Sequence, residues 1–192
     1  MNIFIFKKPR IQYSVLLRTK IYILLASVFF TSLAGCKSSK GEDNANAGVP
    51  AGMVALDLSS YGMQILVNVP DSTNGPLQVT ENGQGGADIK VGKNFKITII
   101  EGSGDMALKK NDITSDAVRK FVKYGIEEAD AILWEWQIEG MEPEFHFYEI
   151  IKSGEKSFEV HDVDGEVFSE KAATEMLNAA KSIRLKPLKE KS

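Results

Sequence analysis

The middle of the chain contains several segments in which apolar and polar residues alternate. Residues 63–69, 87–91 and 95–99 all show this alternation, and Leu66 is the one departure from it in the first segment. An apolar residue at every second position is typical of a strand with one buried face. The sequence therefore predicts three strands here, the last two joined as a hairpin. It also predicts a short edge strand at residues 77–80.

Two later segments have apolar residues spaced as on one side of a helix. The first predicted helix spans residues 111–124, begins at an Asn-Asp pair that can cap it, and ends before Gly125, a favourable residue just beyond a helix C-terminus. Ser169 is a candidate cap for a second helix that reaches about Ile183. The apolar stripes consist of Ile113, Ala117, Val118, Phe121 and Val122 in the first helix, and of Ala172, Ala173, Met176, Leu177, Ala180 and Ile183 in the second.

Aromatic residues are concentrated between the two predicted helices. Residues 132–138 place Trp134 and Trp136 on one strand face, and residues 145–151 and 158–160 supply three phenylalanines. Turn residues after the first two of these strands predict a three-stranded meander, in which the two Trp and three Phe residues form a core beneath a helix. Runs of strands followed by a helix are typical of the α+β class. We therefore predict an α+β domain, with an antiparallel sheet of about five to seven strands packed against two main helices.

The first 36 residues follow a different pattern. Five Lys/Arg residues and no acid precede an apolar run at residues 21–30, and Leu33-Ala34-Gly35-Cys36 follows it. Spanning a bilayer takes about 20 apolar residues, so this run is too short for a comfortable transmembrane helix. A buried core helix is disfavoured because the charge lies on one side only. The order of basic segment, apolar core and small residues is instead expected of an export signal.

This segment resembles the signal peptide and lipobox of bacterial lipoproteins. The resemblance implies cleavage between Gly35 and Cys36 and attachment of diacylglycerol to the Cys36 thiol. Cys36 is the only cysteine in the chain, so no disulfide competes for it. Two or more acyl chains hold a protein stably on a membrane. Lys37 stands where an inner-membrane retention signal would have Asp, so we expect a lipid-anchored protein of the cell envelope, at the outer membrane of a Gram-negative bacterium.

Removal of the leader changes the charge of the chain. It leaves 157 of the 192 residues, with 18 of the 23 basic side chains against all 26 acidic ones, a formal net charge of −8. An acidic surface disfavours nucleic acid as a partner. The predicted organisation is a signal peptide at residues 1–35, the lipidated cysteine and a flexible tether at 36–53, the α+β domain at 54–186 and a C-terminal tail at 187–192.

The order of elements over about residues 56–184 is similar to that of the PsbP-like α/β sandwich, an antiparallel sheet with helices packed against it. Members of that family are mostly binding or assembly factors rather than enzymes. The resemblance therefore implies a non-catalytic role and carries no catalytic residue to this chain. The sequence also has no cofactor-binding motif, so we expect no cofactor.

The two histidines of the chain are a candidate metal site. If the predicted hairpin turns at Gly154, Tyr148 lies opposite His161, and His146 shares its sheet face with His161 and Glu159. Two imidazoles and a carboxylate that converge can bind zinc or a similar cation. A polar, partly solvated sheet face is the alternative interpretation, and a slip of one residue in register would separate the pair.

The leading functional prediction is a membrane-anchored, non-catalytic binding or assembly module. Trp134 and Trp136 are its candidate binding residues, and the partner is an envelope protein or a small ligand. The alternative is a cell-wall or glycan hydrolase that uses two carboxylates near the Trp strand, one with a raised pKa. The acids available for that role are Glu127, Glu128, Asp130, Glu135, Glu139, Glu142 and Glu144.

Overall fold

The computed structural model describes residues 48–187, which form ten strands, two α-helices and two short 3-10 turns. The strands and helices, in chain order, are β1 (Met53–Asp57), β2 (Ile65–Pro70), β3 (Leu77–Glu81), β4 (Gly86–Val91), β5 (Phe95–Glu101), α1 (Met106–Ser115), β6 (Lys120–Glu127), β7 (Ala131–Gln137), β8 (Glu144–Ser153), β9 (Lys156–Asp162), α2 (Glu170–Ala180) and β10 (Arg184–Leu185). They build a three-stranded sheet in the order β1-β2-β10 and a seven-stranded sheet in the order β3-β4-β5-β9-β8-β7-β6. The strands pair antiparallel throughout, so the predicted α+β class is confirmed.

Several predictions from the sequence lie outside the described residues. These are the signal peptide, Cys36, most of the tether and the last five residues of the tail. Met53, predicted to end the tether, already belongs to β1. Within residues 48–187, no helix has the length and apolar character needed to cross a membrane.

The larger hydrophobic core joins α2, the three-stranded sheet and one face of the seven-stranded sheet. Ser169 begins α2 as predicted, because its side-chain oxygen accepts a hydrogen bond from the Ala172 backbone N–H at 3.3 Å. Phe147 of β8 and Phe158 of β9 are fully buried in this core, as is Met176 of α2. Burial of a side chain of this size contributes about 1.5–3 kcal/mol to folding. We call this side of the seven-stranded sheet the α2 face.

The three-stranded sheet explains the departure from alternation at Leu66. Strand β2 lies between β1 and β10, and Leu66 is buried like its neighbours Ile65 and Val67. Asn68 is also buried, and its side-chain oxygen accepts a hydrogen bond from Arg184 at 2.9 Å. The sequence did not predict β10, because a strand of two residues has no measurable alternation.

The helix predicted over residues 111–124 is present, but its bounds and its Asn-Asp cap are wrong. Helix α1 begins earlier, at Met106, where the Asp105 carboxylate accepts a hydrogen bond from the Leu108 backbone N–H at 2.9 Å, and it ends at Ser115. Residues 120–127 form strand β6 instead.

The misleading spacing has a structural cause in β6. Its pairing with β7 contains irregularities between Phe121 and Lys123 and between Tyr124 and Ile126. Bulges of this kind add a residue and interrupt the two-residue period. As a result the inward-facing Phe121 and Tyr124 are three residues apart, a spacing that imitates a helix.

The predicted meander is confirmed, but its predicted core is not. Strands β7, β8 and β9 are neighbours, and Tyr148 lies opposite His161 as the sequence indicated. Trp134 lies opposite His146, whereas Leu133 lies opposite Phe147. Because side chains alternate between faces, the two tryptophans and the buried phenylalanines lie on opposite faces of the sheet.

The second face of the seven-stranded sheet carries a smaller cluster. Its buried apolar residues are Ile113 of α1, Ile132, Trp134 and Trp136 of β7, and Tyr148 of β8. We call this side the α1 face. Ile113 is the only buried residue of α1, so a short and mostly exposed helix covers the aromatic residues.

Candidate functional site

The centre of the α1 face is a buried histidine held by an aspartate. His146 Nδ1 lies 2.7 Å from Asp162 Oδ2, and the other Asp162 oxygen accepts a hydrogen bond from the Phe147 backbone N–H at 3.0 Å. Both side chains are more than nine-tenths buried. A carboxylate on Nδ1 fixes the orientation of an imidazole and leaves Nε2 for other chemistry. The pair therefore directs Nε2 of His146 away from β9.

That ring nitrogen has no hydrogen-bond partner among the described residues. His146 Nε2 is buried, and the nearest carboxylate oxygen, Glu144 Oε2, lies 3.6 Å away. Buried polar atoms are seldom left without a partner, and such an atom needs an explanation. A bound molecule that completes the hydrogen bonding is one such explanation.

The two tryptophans surround the imidazole. The ring centroids of Trp134 and Trp136 lie 5.7 and 5.1 Å from that of His146. Trp136 Nε1 donates a hydrogen bond to the Ile113 carbonyl at 3.1 Å and so attaches α1 to the sheet. Trp134 Nε1, in contrast, is buried and has no hydrogen-bond partner within residues 48–187. The site thus contains a second unpartnered polar atom, and this one can only donate.

A basic side chain from the segment after α1 covers Trp136. The Arg119 guanidinium lies 3.9 Å from the ring centroid, within the range of a cation–π interaction. Arg119 also donates two hydrogen bonds to Asp116, from Nε at 3.1 Å and from Nη2 at 2.8 Å. Hydrogen bonds from the backbone N–H groups of Arg119 and Val118, followed by those from the Arg119 side chain, lower the pKa of Asp116 to about 2. Asp116 therefore already accepts four hydrogen bonds from the protein and has no accepting position left for a ligand.

Lys109 of α1 supplies a second cation. Its ammonium lies 5.6 Å from the ring centroid of Trp134 and 5.3 Å from that of Tyr148. It makes no ion pair with any residue between 48 and 187. The Tyr148 hydroxyl donates a hydrogen bond to Glu159 at 2.7 Å. Burial, and then this hydrogen bond, raises the pKa of Tyr148.

These side chains line a cavity of about 200 Å³ beneath α1. Trp134, Trp136, His146 and Asp162 form its buried part, and the exposed residues Asp112 and Asp164 lie at its rim. A cavity of about 150 Å³ in another protein holds benzene, so this one has room for a molecule of about one ring. We call it the α1 cavity.

Both predicted metal ligands line the α1 cavity. His161 Nδ1 lies 2.7 Å from the backbone carbonyl oxygen of Asp162, its own neighbour in sequence. Across residues 48–187, no group of three or more His, Cys, Asp or Glu side chains is arranged to hold a metal ion. The two histidines therefore line the same cavity, but the arrangement of the side chains around them gives no support to the predicted metal site.

The acids proposed for a hydrolase are dispersed. Glu127, Glu128 and Glu135 form ion pairs with Lys110, Lys181 and Lys123, respectively. Of the predicted set, Glu144 is the one that lies beside His146, where it is buried. Trp134 and Trp136 are only 2 % and 7 % exposed, which leaves little indole surface on which a sugar ring could stack.

Sequence reasoning found His146 and the tryptophans but missed Asp162, Arg119 and Lys109. Strict alternation along β9 places Asp162 on the α2 face, opposite Phe147. Asp162 is the last residue of β9, where its side chain reaches the ring of His146 and the backbone of β8. Lys109 lies before the predicted helix and Arg119 within it, whereas the structure places Lys109 in α1 and Arg119 between α1 and β6. No signal in the sequence marks either residue as part of the site.

No protein-family model, curated protein or solved structure matches this chain.

Proposed function

We propose that the protein is an envelope lipoprotein whose domain binds a small carboxylate-bearing molecule in the α1 cavity. The proposal rests on two buried ring nitrogens in one cavity, Trp134 Nε1 and His146 Nε2, that have no partner in the part of the chain that the structure describes. Unpaired polar groups at such depth destabilise a folded chain unless a ligand satisfies them.

The hydrogen-bonding capacity left in the cavity favours an acceptor as ligand. The acids Asp116 and Asp162 already accept hydrogen bonds from protein donors, whereas Trp134 Nε1 and the Lys109 ammonium have donors to spare. A carboxylate can accept from both. The neutral His146 ring, with its Nδ1–H toward Asp162, presents Nε2 as an acceptor, so this nitrogen pairs with a carboxylate only when one proton is bound between them. The aromatic walls suit a flat apolar body on the same molecule.

Binding is tested directly with benzoate as the probe. The chain has only two tryptophans, and both line the α1 cavity, so tryptophan fluorescence, excited where tyrosine does not absorb, reports on this site alone. We expect saturable quenching or a spectral shift with benzoate, and at least tenfold weaker binding of benzamide, its uncharged analogue.

Two lysine variants test the role of Lys109, one that changes this residue and one that serves as the control. Lys109→Met is expected to weaken benzoate binding about tenfold, the loss of one charge-assisted contact. Lys93→Met, at an exposed turn outside the cavity, should leave binding unchanged. Equal binding of benzoate and benzamide, or equal effects of the two variants, would contradict the proposal.

The envelope assignment rests on the lipobox and has its own test. We expect mass spectrometry of the native protein to show a chain that begins at Cys36 and carries acyl groups. Cys36→Ser should release the domain from the membrane fraction. A native chain with a free thiol would contradict the anchor without affecting the ligand site.

Cell-wall or glycan hydrolysis is a second candidate function. The observation that favours it is Glu144, a buried carboxylate beside His146 and next to the tryptophans. It predicts release of reducing sugars from peptidoglycan by the wild-type chain, abolished in Glu144→Gln. No release above a heat-treated control would leave ligand binding as the function.

A further inference from the structure

A second concave region lies beside the C-terminal end of α2, on the other side of the sheet from the α1 cavity. It is an open groove of about 700 Å³. Glu149 of β8 and Lys181, the residue that follows α2, line it together with Glu128 and Asp130 from the turn between β6 and β7. We call it the Glu149 groove.

Glu149 is the unusual residue of this groove. Its side chain is more than nine-tenths buried, and Oε2 has no hydrogen-bond partner among the described residues. Burial raises the pKa of Glu149 to about 7, with Asp130 and Glu128 raising it further and Lys181 lowering it. An acidic group is thus buried with one of its oxygens, Oε2, unpaired among the described residues.

The nearby lysine is already engaged elsewhere. Lys181 Nζ lies 2.7 Å from both carboxylate oxygens of Glu128. The C-terminal end of α2 adds partial negative charge to the groove, because the last carbonyl groups of a helix point outward there. Asp130 contributes a further carboxylate, while Lys152 is the other cation that lines the groove.

We propose that the Glu149 groove binds an arginine side chain of a partner protein, whose guanidinium pairs with the Glu149 carboxylate. This site is independent of the α1 cavity and of the carboxylate proposed for it. Arginine fits better than lysine, since a guanidinium is weakly hydrated, loses less on burial and presents several donors in one plane. The acidic balance of the chain beyond Gly35 would attract a basic partner over some distance.

The test uses the purified chain in zwitterionic detergent and the peptide acetyl-Gly-Arg-Gly-amide as the probe. Nuclear magnetic resonance of ¹³C-labelled glutamate carboxyl groups follows Glu149 during the titration. We expect the peptide to shift the Glu149 signal in a saturable manner. Binding should strengthen about tenfold from pH 6 to pH 8, because the carboxyl must be ionised to pair.

Two variants are expected to change the affinity for the arginine peptide in opposite directions. Glu149→Gln keeps the shape of the side chain and should weaken binding at least tenfold, with an unchanged circular dichroism spectrum. At pH 8, Lys181→Met frees the Glu128 carboxylate and removes a cation that would repel the guanidinium, so it should strengthen binding. Glu142→Gln, an exposed acid that does not line the groove, is the matched control and should have no effect.

The proposal fails in any of three ways. It is overturned if the citrulline analogue of the peptide binds as well as the arginine peptide. It is also overturned if Glu149→Gln binds like the wild-type chain, or if the affinity does not change between pH 6 and pH 8. Each of these results is independent of whether benzoate binds at the α1 cavity.

Discussion

The two faces of the seven-stranded sheet differ in how completely their side chains are matched. On the α2 face, Phe147 and Phe158 pack against Met176 and Leu177 of α2 with no exposed surface. On the α1 face, a small aromatic cluster surrounds a buried His–Asp pair and a cavity, and two ring nitrogens there lack partners among the described residues. One sheet thus carries an apolar core on one side and an incompletely satisfied polar site on the other.

This difference indicates which face stabilises the fold and which face is available for function. Burial of apolar area is the main favourable contribution to folding, and the α2 face supplies most of it. The polar groups of the α1 face add little and leave hydrogen bonds unmade. A structure that needed only stability would have apolar residues in their place. We therefore attribute the α1 face to ligand binding and, apart from the Glu149 groove beside the end of α2, the α2 face to the fold.

The largest expected effect comes from breaking the α2 face. Phe158→Ala should lower the free energy of unfolding by about 4 kcal/mol, because it removes a fully buried ring and leaves a cavity. Urea denaturation followed by circular dichroism measures the loss. Val167→Ala, at a position 58 % exposed, is the control and should change stability by less than about 0.5 kcal/mol. Equal losses in the two variants would show that the α2 face is not the core.

The His–Asp pair gives the next largest effect. Asp162→Ala should cost about 3 kcal/mol, since it leaves the His146 ring and the Phe147 N–H buried without their acceptor. The same denaturation experiment measures this loss. Asp164→Ala, at the exposed rim of the cavity, should be nearly neutral. A negligible cost for Asp162→Ala would mean that the pair does not form.

The Glu149 carboxyl makes stability depend on pH. Its pKa is about 7 in the folded chain and near 4.5 when unfolded, so the folded state binds the extra proton between these values. This contribution is fully present below about pH 4.5 and is lost as pH rises through 7, a change of about 2.5 kcal/mol between pH 5 and pH 8. Glu149→Gln should remove this part of the pH dependence. If the difference in stability between the variant and the wild-type chain were the same at pH 5 and pH 8, Glu149 would have an ordinary pKa.

The smallest effect distinguishes the two tryptophans. Trp136→Phe breaks the hydrogen bond to the Ile113 carbonyl, whereas Trp134→Phe removes an N–H that has no partner between residues 48 and 187. We expect Trp136→Phe to be the more destabilising of the two by about 1 kcal/mol. Thermal unfolding of the two variants side by side measures the difference. The reverse order would mean that Trp134 Nε1 does have a partner in the folded chain.

Periodicity predicted the parts of the fold in which one face is buried and the other is wet. The β4–β5 hairpin, the meander and α2 were predicted because their patterns are regular over several residues. Strand β6 was missed because its bulges imitate a helical spacing, and the bounds of α1 were wrong because it buries only Ile113. Alternation placed His146 on the correct face, but it could not predict that Asp162 would turn toward that ring at the end of β9. Arg119 and Lys109 reach the site through packing that no local pattern encodes.

The most direct test of the account is the indole N–H of Trp134. The chain's two tryptophans give two indole signals in a ¹⁵N–¹H correlation spectrum, and Trp134→Phe assigns them. We predict that benzoate moves the Trp134 signal downfield in a saturable manner, as a new hydrogen bond forms, and that benzamide moves it far less. A Trp134 signal that stays in place at saturating benzoate, or that responds equally to benzamide, would contradict the assignment of the α1 face to ligand binding.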